Sequence, residues 1–140
     1  MRLDPSFRWA VYGVLAVLFV SGAAWLAADA LKDGPDADAW QIIAADLLML
    51  HGGASMIVLL LIGALVPLHI TRGWRSDRNR GSGSAMVTIN GLLIVTAFAL
   101  YYSGSDLLRA WSGYVHIGAG LVLPLLVLVH VGLGRRSRST

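Results

Sequence analysis

The four histidines are the residues of this sequence best suited to chemistry. They are His51, His69, His116 and His130, and all four lie inside long apolar stretches. Ionisable side chains within membrane-spanning segments are rare and usually functional. An imidazole can bind a metal or carry a proton near neutral pH. The histidines are therefore the candidate functional residues.

Their spacing places each pair on one face of a helix. His116 and His130 are 14 residues apart, and His51 and His69 are 18 apart. An α-helix turns about 100° and rises about 1.5 Å per residue, so the first pair lies about 40° short of four full turns and the second at five full turns. The paired side chains are then separated along the axis by about 21 Å and about 27 Å.

The elements that carry the histidines are predicted to be transmembrane helices. The chain of 140 residues is 56% hydrophobic and 14% charged, with a mean hydropathy of +0.68, whereas soluble domains carry about 25% charged residues. Residues 9–28, 47–70, 81–105 and 110–134 lack Asp, Glu, Lys and Arg, and about 20 apolar residues span a bilayer. The sequence predicts an all-α, transmembrane four-helix bundle forming a single integral membrane domain over residues 1–140. The predicted helices cover residues 6–31, 39–71, 85–103 and 107–133.

The distribution of positive charge predicts the topology. Nine of the eleven basic residues fall before the first run, between the second and third, or after the fourth, and these are Arg2, Arg8, Arg72, Arg75, Arg78, Arg80, Arg135, Arg136 and Arg138. Only Lys32 and Arg109 lie in the other two connections. Because cytoplasmic loops are enriched in Lys and Arg, both termini and the middle loop are predicted to be cytoplasmic. The basic charge thus follows from topology and indicates no nucleic-acid partner.

The second and fourth predicted helices run in the same direction, so their histidines form two levels. His51 and His116 form an outer level, and His69 and His130 form an inner, cytoplasmic-side level. Two facing imidazoles can supply the axial nitrogens of haem iron, and helical bundles hold cofactors through side chains on facing helices. We therefore expect two b haems, one at each level.

Small and cationic residues near the histidines fit that cofactor. Room for the macrocycles is expected at Gly52, Gly113 and Gly120. Arginine binds carboxylates in a bidentate fashion, and the candidate partners of the haem propionates are Arg72, Arg75, Arg109 and Arg135. Small residues also permit close helix packing, and arginines at helix ends also set topology, so each of these residues has a second explanation.

The unequal histidine intervals conflict with a model in which both ligands of each haem lie at the same height along the helix axes. Intervals of 18 and 14 residues differ by about 6 Å along a helix axis. Pro67 and Pro124 can each bend their helix and so reduce the difference. If they do not, His69 is the ligand expected to drop out, because it lies nearest a helix end.

With these features the sequence resembles the bacterial b-type membrane cytochromes, particularly the cytochrome b561 type and the cytochrome b subunits of respiratory hydrogenases. The resemblance rests on Ser21-Gly22, His51-Gly52-Gly53, Leu68-His69, and His116-Ile117-Gly118-Ala119-Gly120 with His130. It implies electron transfer through two haems in the bacterial inner (cytoplasmic) membrane, surrounded by membrane lipid. It further implies exchange between a quinone pool and a partner redox subunit or c-type cytochrome, with no catalytic residue in this chain.

Two other functions compatible with the composition remain open. One is a haem-free small membrane subunit that binds or assembles a partner complex, and the other is a transporter or channel with a histidine proton relay. The chain has no cysteine, which excludes thiolate ligands and iron–sulfur clusters. A zinc or copper site needs three or four clustered ligands, which two separated levels do not supply.

The predicted topology can be tested with a reporter fused after Thr140. A reporter that is active only in the cytoplasm should be active there, because the basic segments are retained on that side. Activity of a reporter that works only on the opposite side of the membrane would contradict the orientation and the labels inner and outer.

Overall fold

The computed structural model describes residues 4–75 and 80–136, and its long segments are all helical. Helix α1 comprises Pro5–Leu31, α2 Ala37–Leu65, α3 Thr71–Arg75, α4 Arg80–Tyr102 and α5 Asp106–Arg136. A π-helical turn, Val66–Ile70, connects α2 to α3. No β-strand occurs in either described range.

Four helical stretches are long and apolar enough to cross a membrane. They are Pro5–Leu31, Ala37–Arg75, Arg80–Tyr102 and Asp106–Arg136, so the prediction of an all-helical protein with four candidate spans is confirmed. The main difference lies at the third span, which begins at Arg80 instead of residue 85. The Gly- and Ser-rich segment assigned to a loop is helical from that residue onward. Three of the basic residues behind the topology prediction lie outside the described residues, namely Arg2, Arg78 and Arg138.

Local signals explain where the first two helices begin. Asp4 accepts hydrogen bonds from the backbone N–H groups of Ser6 at 2.9 Å and Phe7 at 3.3 Å, and Pro5 occupies the first helical position, where its missing N–H costs nothing. Asp36 precedes α2 with a φ of 64°, a left-handed conformation in which Asp is enriched. Both ends therefore follow from residue types visible in the sequence.

The connection between α1 and α2 carries a surface ion pair. The ammonium group of Lys32 donates to the carboxylate of Asp29 at 2.8 Å, and both side chains are partly exposed. This hydrogen bond raises the pKa of Lys32. Exposed pairs of this kind contribute little to stability, so the pair shapes the connection and does not hold the helices together.

The contacts within the chain group it into two units, Met1–His69 and Ile70–Thr140. In the first unit α1 packs against α2, and in the second α4 packs against α5. The short connections, residues 32–36 and 103–105, make each pair an antiparallel helical hairpin. Each unit therefore has one principal helix–helix interface.

Small side chains form those interfaces. The buried residues are Ser21, Ala28, Ala44 and Ala54 in the first unit and Thr96, Ser112 and Ala119 in the second. Small residues let membrane helices approach closely and gain packing and hydrogen bonds. Large apolar side chains lie on the outside instead, as with Leu60, which is 76% exposed, and Leu128, which is 70% exposed. This apolar exterior is suited to lipid, as expected of a multi-pass membrane protein.

The close approach of α1 and α2 predicts a large cost for enlarging a buried alanine. Ala28 is 1% exposed, so Ala28→Leu should destabilise the protein by about 1–3 kcal/mol through overpacking. Thermal unfolding in detergent measures the change. Ala27→Leu is the matched control because its neighbouring site is exposed. Equal unfolding temperatures for the two variants would contradict the packing described here.

Candidate functional site

His116 is held across the α4–α5 interface by a threonine. Its Nδ1 lies 2.9 Å from the hydroxyl oxygen of Thr96, which is buried. That hydroxyl donates its single proton to the carbonyl of Leu92 at 2.7 Å, with Leu93 O at 3.1 Å. With that proton on a helix carbonyl, Thr96 accepts from the Nδ1–H of His116, and Nε2 of the neutral imidazole then bears the lone pair. A hydroxyl proton turned toward Nδ1 gives the other tautomer.

His130 makes the equivalent contact one level further along the same hairpin. Its Nδ1 lies 3.0 Å from the hydroxyl oxygen of Ser82. Thr96 and Ser82 are 14 residues apart on α4, which is also the interval between His116 and His130 on α5. In an antiparallel pair, equal intervals keep both contacts in one register. Helix α4 therefore supplies one hydroxyl for each histidine of α5.

Arg109 extends this register to the start of α5. Its guanidinium donates to the carbonyl of Ser103 at 2.9 Å. Ser103 directly follows α4, and carbonyl groups at the end of a helix have no donor within the helix. Arg109 precedes His116 by seven residues, and Ser103 follows Thr96 by seven. The structure thus gives this arginine a capping contact that explains a positive charge on the predicted outer side.

His51 is held across the α1–α2 interface by a carbonyl and a hydroxyl. Its Nδ1 lies 3.0 Å from Leu18 O and 3.1 Å from the hydroxyl oxygen of Ser21. A carbonyl oxygen can only accept, so Nδ1 of His51 carries the proton. Ser21 is 2% exposed and its hydroxyl also lies 3.2 Å from Leu18 O. The tautomer of His51, with the proton on Nδ1, is therefore set by its own hairpin.

A glycine on α1 makes room for the His51 ring. A Cβ atom built on Gly22 would lie 3.1 Å from Cε1 and 3.3 Å from Nδ1 of His51. Both distances are tighter than ordinary van der Waals contact, so a side chain at this position would displace the imidazole. The Ser21-Gly22 pair thus serves His51 through a hydroxyl at one residue and the lack of a side chain at the next.

His69 lies in the π-helical turn and its side chain is exposed. Pro67 lacks an N–H and clashes with the carbonyl four residues earlier, which accounts for the break in the α-helical ladder here. A π turn has i→i+5 hydrogen bonds and so uses more residues per turn. The axial distance from His51 to His69 is therefore shorter than it would be in an uninterrupted α-helix. This reduces the predicted difference in axial length between the 18-residue and 14-residue histidine intervals. The same-face relation calculated for a continuous α-helix does not hold across this turn.

The glycines and arginines that were predicted to surround the haems differ in their contacts. Nothing lies within 4 Å of a Cβ built on Gly52 or Gly120, whereas one on Gly113 would be 3.8 Å from the side chain of Leu100. Gly113 therefore lies against α4. Arg72 and Arg75 are exposed in α3, and Arg135 is exposed in the last turn of α5.

Sequence reasoning missed the two hydroxyl residues of α4. Thr96 and Ser82 were not identified because a lone Ser or Thr in a membrane helix is unremarkable. The available signal was their 14-residue interval, which repeats the His116–His130 interval. Across residues 4–75 and 80–136, no three His, Cys, Asp or Glu side chains are grouped so as to hold a metal ion. A cofactor iron that already has ring ligands needs only two protein ligands.

Comparison with known proteins gives no family for this chain: no protein-family model, no curated protein and no solved structure matches it. The function is therefore inferred from the geometry of the histidines.

The close approach of Gly22 to His51 can be tested by histidine NMR. Gly22→Ala should change the ring nitrogen shifts of His51 and weaken the Nδ1–H signal, since the new methyl group displaces the ring. Gly13→Ala on the same helix is the control, because a Cβ there meets nothing within 4 Å. If Gly22→Ala leaves the His51 signals as unchanged as Gly13→Ala does, the contact is wrong.

Proposed function

We propose that this protein is a b-type cytochrome that relays electrons across the membrane through two haems with paired histidine ligands. The ligand assignment is His51 with His116 at the outer level and His69 with His130 at the inner level. The grouping into two levels follows from the order of the histidines along the predicted helices, and the ligand role follows from the resemblance to bacterial b-type membrane cytochromes.

The observation that carries the proposal is that His51 and His116 each have Nδ1 held by the adjacent helix of their own hairpin. Histidines that ligate a metal almost always donate their other ring N–H to a carbonyl, carboxylate or water, which fixes the tautomer and the ring orientation. Here Nδ1 of His51 donates to Leu18 O, and the proposal takes Nδ1 of His116 to donate to the Thr96 hydroxyl in the same way. With this tautomer, Nε2 of each residue bears the lone pair that an axial ligand requires. The two outer-level residues thus fit the cofactor.

The residues of the inner level fit in part. His130 has its hydroxyl partner in Ser82 at 3.0 Å, in the register that also orients His116. His69 lies in the π turn and its side chain is exposed. Arg72, Arg75 and Arg135 lie at exposed helix ends and are suited to bind propionates. The inner haem thus rests on fewer contacts than the outer one.

Haem supplies reversible one-electron chemistry, with a potential set by axial ligands, hydrogen bonds and burial. Two histidines would hold each haem, which would leave a substrate no position on the iron. The role proposed for the chain is therefore relay. We assign the protein to the bacterial inner membrane, with both termini cytoplasmic, exchanging electrons between quinone and a partner redox subunit or c-type cytochrome.

A second candidate function is a haem-free membrane subunit. It is favoured by the fact that His51, His116 and His130 each bond to the adjacent helix of their own hairpin. Interhelical polar contacts of this type stabilise membrane helix pairs without a cofactor. The two candidates differ in whether the purified protein contains haem.

The haem content of histidine variants tests the proposal. Wild-type protein purified from membranes should contain two b haems per chain. His51→Ala and His116→Ala should each lose about half of that content, because each removes one axial ligand of the same haem. The pyridine haemochrome absorbance per mole of protein measures the loss. Thr88→Ala, at an exposed site on α4, should retain both haems.

Two results would decide against this assignment. Wild-type protein purified without haem would favour the haem-free subunit. Full haem content in both His51→Ala and His116→Ala would show that the outer-level ligands are wrongly identified.

A further inference from the structure

We propose that α4 is the positioning helix for both haems, with Thr96 controlling the outer haem and Ser82 the inner one. Neither residue is a ligand. Each acts through a histidine of α5, His116 or His130. This inference rests on the proposed function and adds two residues to which sequence reasoning gave no role.

Thr96 lies between His116 and a carbonyl of its own helix. In the tautomer that ligates through Nε2, His116 donates from Nδ1 to the Thr96 hydroxyl at 2.9 Å, and that hydroxyl donates to Leu92 O at 2.7 Å. The side chain is 7% exposed, so water does not compete for these bonds. Hydrogen bonds in such a chain polarise one another, and Thr96 is therefore a stronger acceptor than an isolated hydroxyl.

Ser82 occupies the corresponding place for His130. The hydroxyl–Nδ1 distance is 3.0 Å, and the 14-residue intervals on the two helices match. Since 14 residues rise about 21 Å, the two contacts lie at separate levels of one interface. A change at one contact should therefore leave the haem at the other level unaltered.

The electronic consequence has a definite sign. A hydrogen bond accepted from Nδ1–H raises the basicity of the ligating nitrogen. A more basic ligand stabilises ferric iron and lowers its reduction potential. Removing the acceptor should therefore raise the potential of one haem only. Loss of orientation should also change the anisotropy of the ferric EPR signal, which depends on the planes of the two imidazoles.

A redox titration of Thr96 variants tests the outer contact. Thr96→Val keeps the side-chain shape without the acceptor, and it should shift one of the two waves upward while the other stays in place. The shifted wave should be the one that His116→Ala removes. Thr96→Ser restores a hydroxyl and should titrate like wild type. Thr88→Val is the matched control, because it makes the same substitution at an exposed site on the same helix.

The same design applies to Ser82. Ser82→Ala should shift the wave that Thr96→Val leaves in place, and Ser84→Ala, at an exposed neighbouring site, should shift neither. Should Thr96→Val not accumulate in membranes, Thr96→Ala provides a smaller replacement whose spectrum and potentials are read in the same way.

The outcomes separate this inference from the proposed function. A wild-type protein without haem refutes both. Two haems with wild-type potentials and EPR signals in Thr96→Val and Ser82→Ala would refute the positioning role and leave the cytochrome intact. A lower unfolding temperature with unchanged potentials would also refute it, since a purely structural contact gives that result.

Discussion

The structure depends on the need of half-buried imidazoles for hydrogen-bond partners in an apolar medium. An unpaired polar group in hydrocarbon costs several kcal/mol, and three of the histidines meet this need with a neighbouring helix. His51 bonds to α1, while His116 and His130 bond to α4. Each bond brings two backbones close, which only small interface residues allow. The buried serines, threonine and alanines of the two hairpins are therefore a consequence of the same constraint.

The constraint also sets the register of α4 and α5. Two hydroxyls and two histidines at equal intervals align along an antiparallel pair, and a shift by one residue would separate both contacts. Polar contacts within apolar interfaces are known to fix register in coiled coils. In this hairpin they also hold the rings of His116 and His130 against α4. Stability and ring orientation thus derive from one set of bonds, so a haem-free role and a haem-binding role share most of their structural requirements.

Much of the fold could be predicted from the sequence, because membrane spans follow from composition and length alone. The start of α1 after Asp4 and the turn before Ala37 also follow from local residue types. The π turn could not be predicted, because Pro67 indicates that the α-helix is interrupted but not which backbone conformation replaces it. The histidines were identifiable from their rarity in apolar runs. Their partners Thr96 and Ser82 were missed, because their 14-residue interval gains significance only when the register of the opposite helix is known.

The proposed function requires that paired imidazoles ligate haem iron in this protein. Near-infrared magnetic circular dichroism of the oxidised wild-type protein tests this ligation most directly, because the charge-transfer band of low-spin ferric haem reports the two axial ligands. We expect a single class of band, typical of two neutral imidazoles, for both haems. A high-spin band, a band of any other ligand pair, or a purified protein without haem would contradict it.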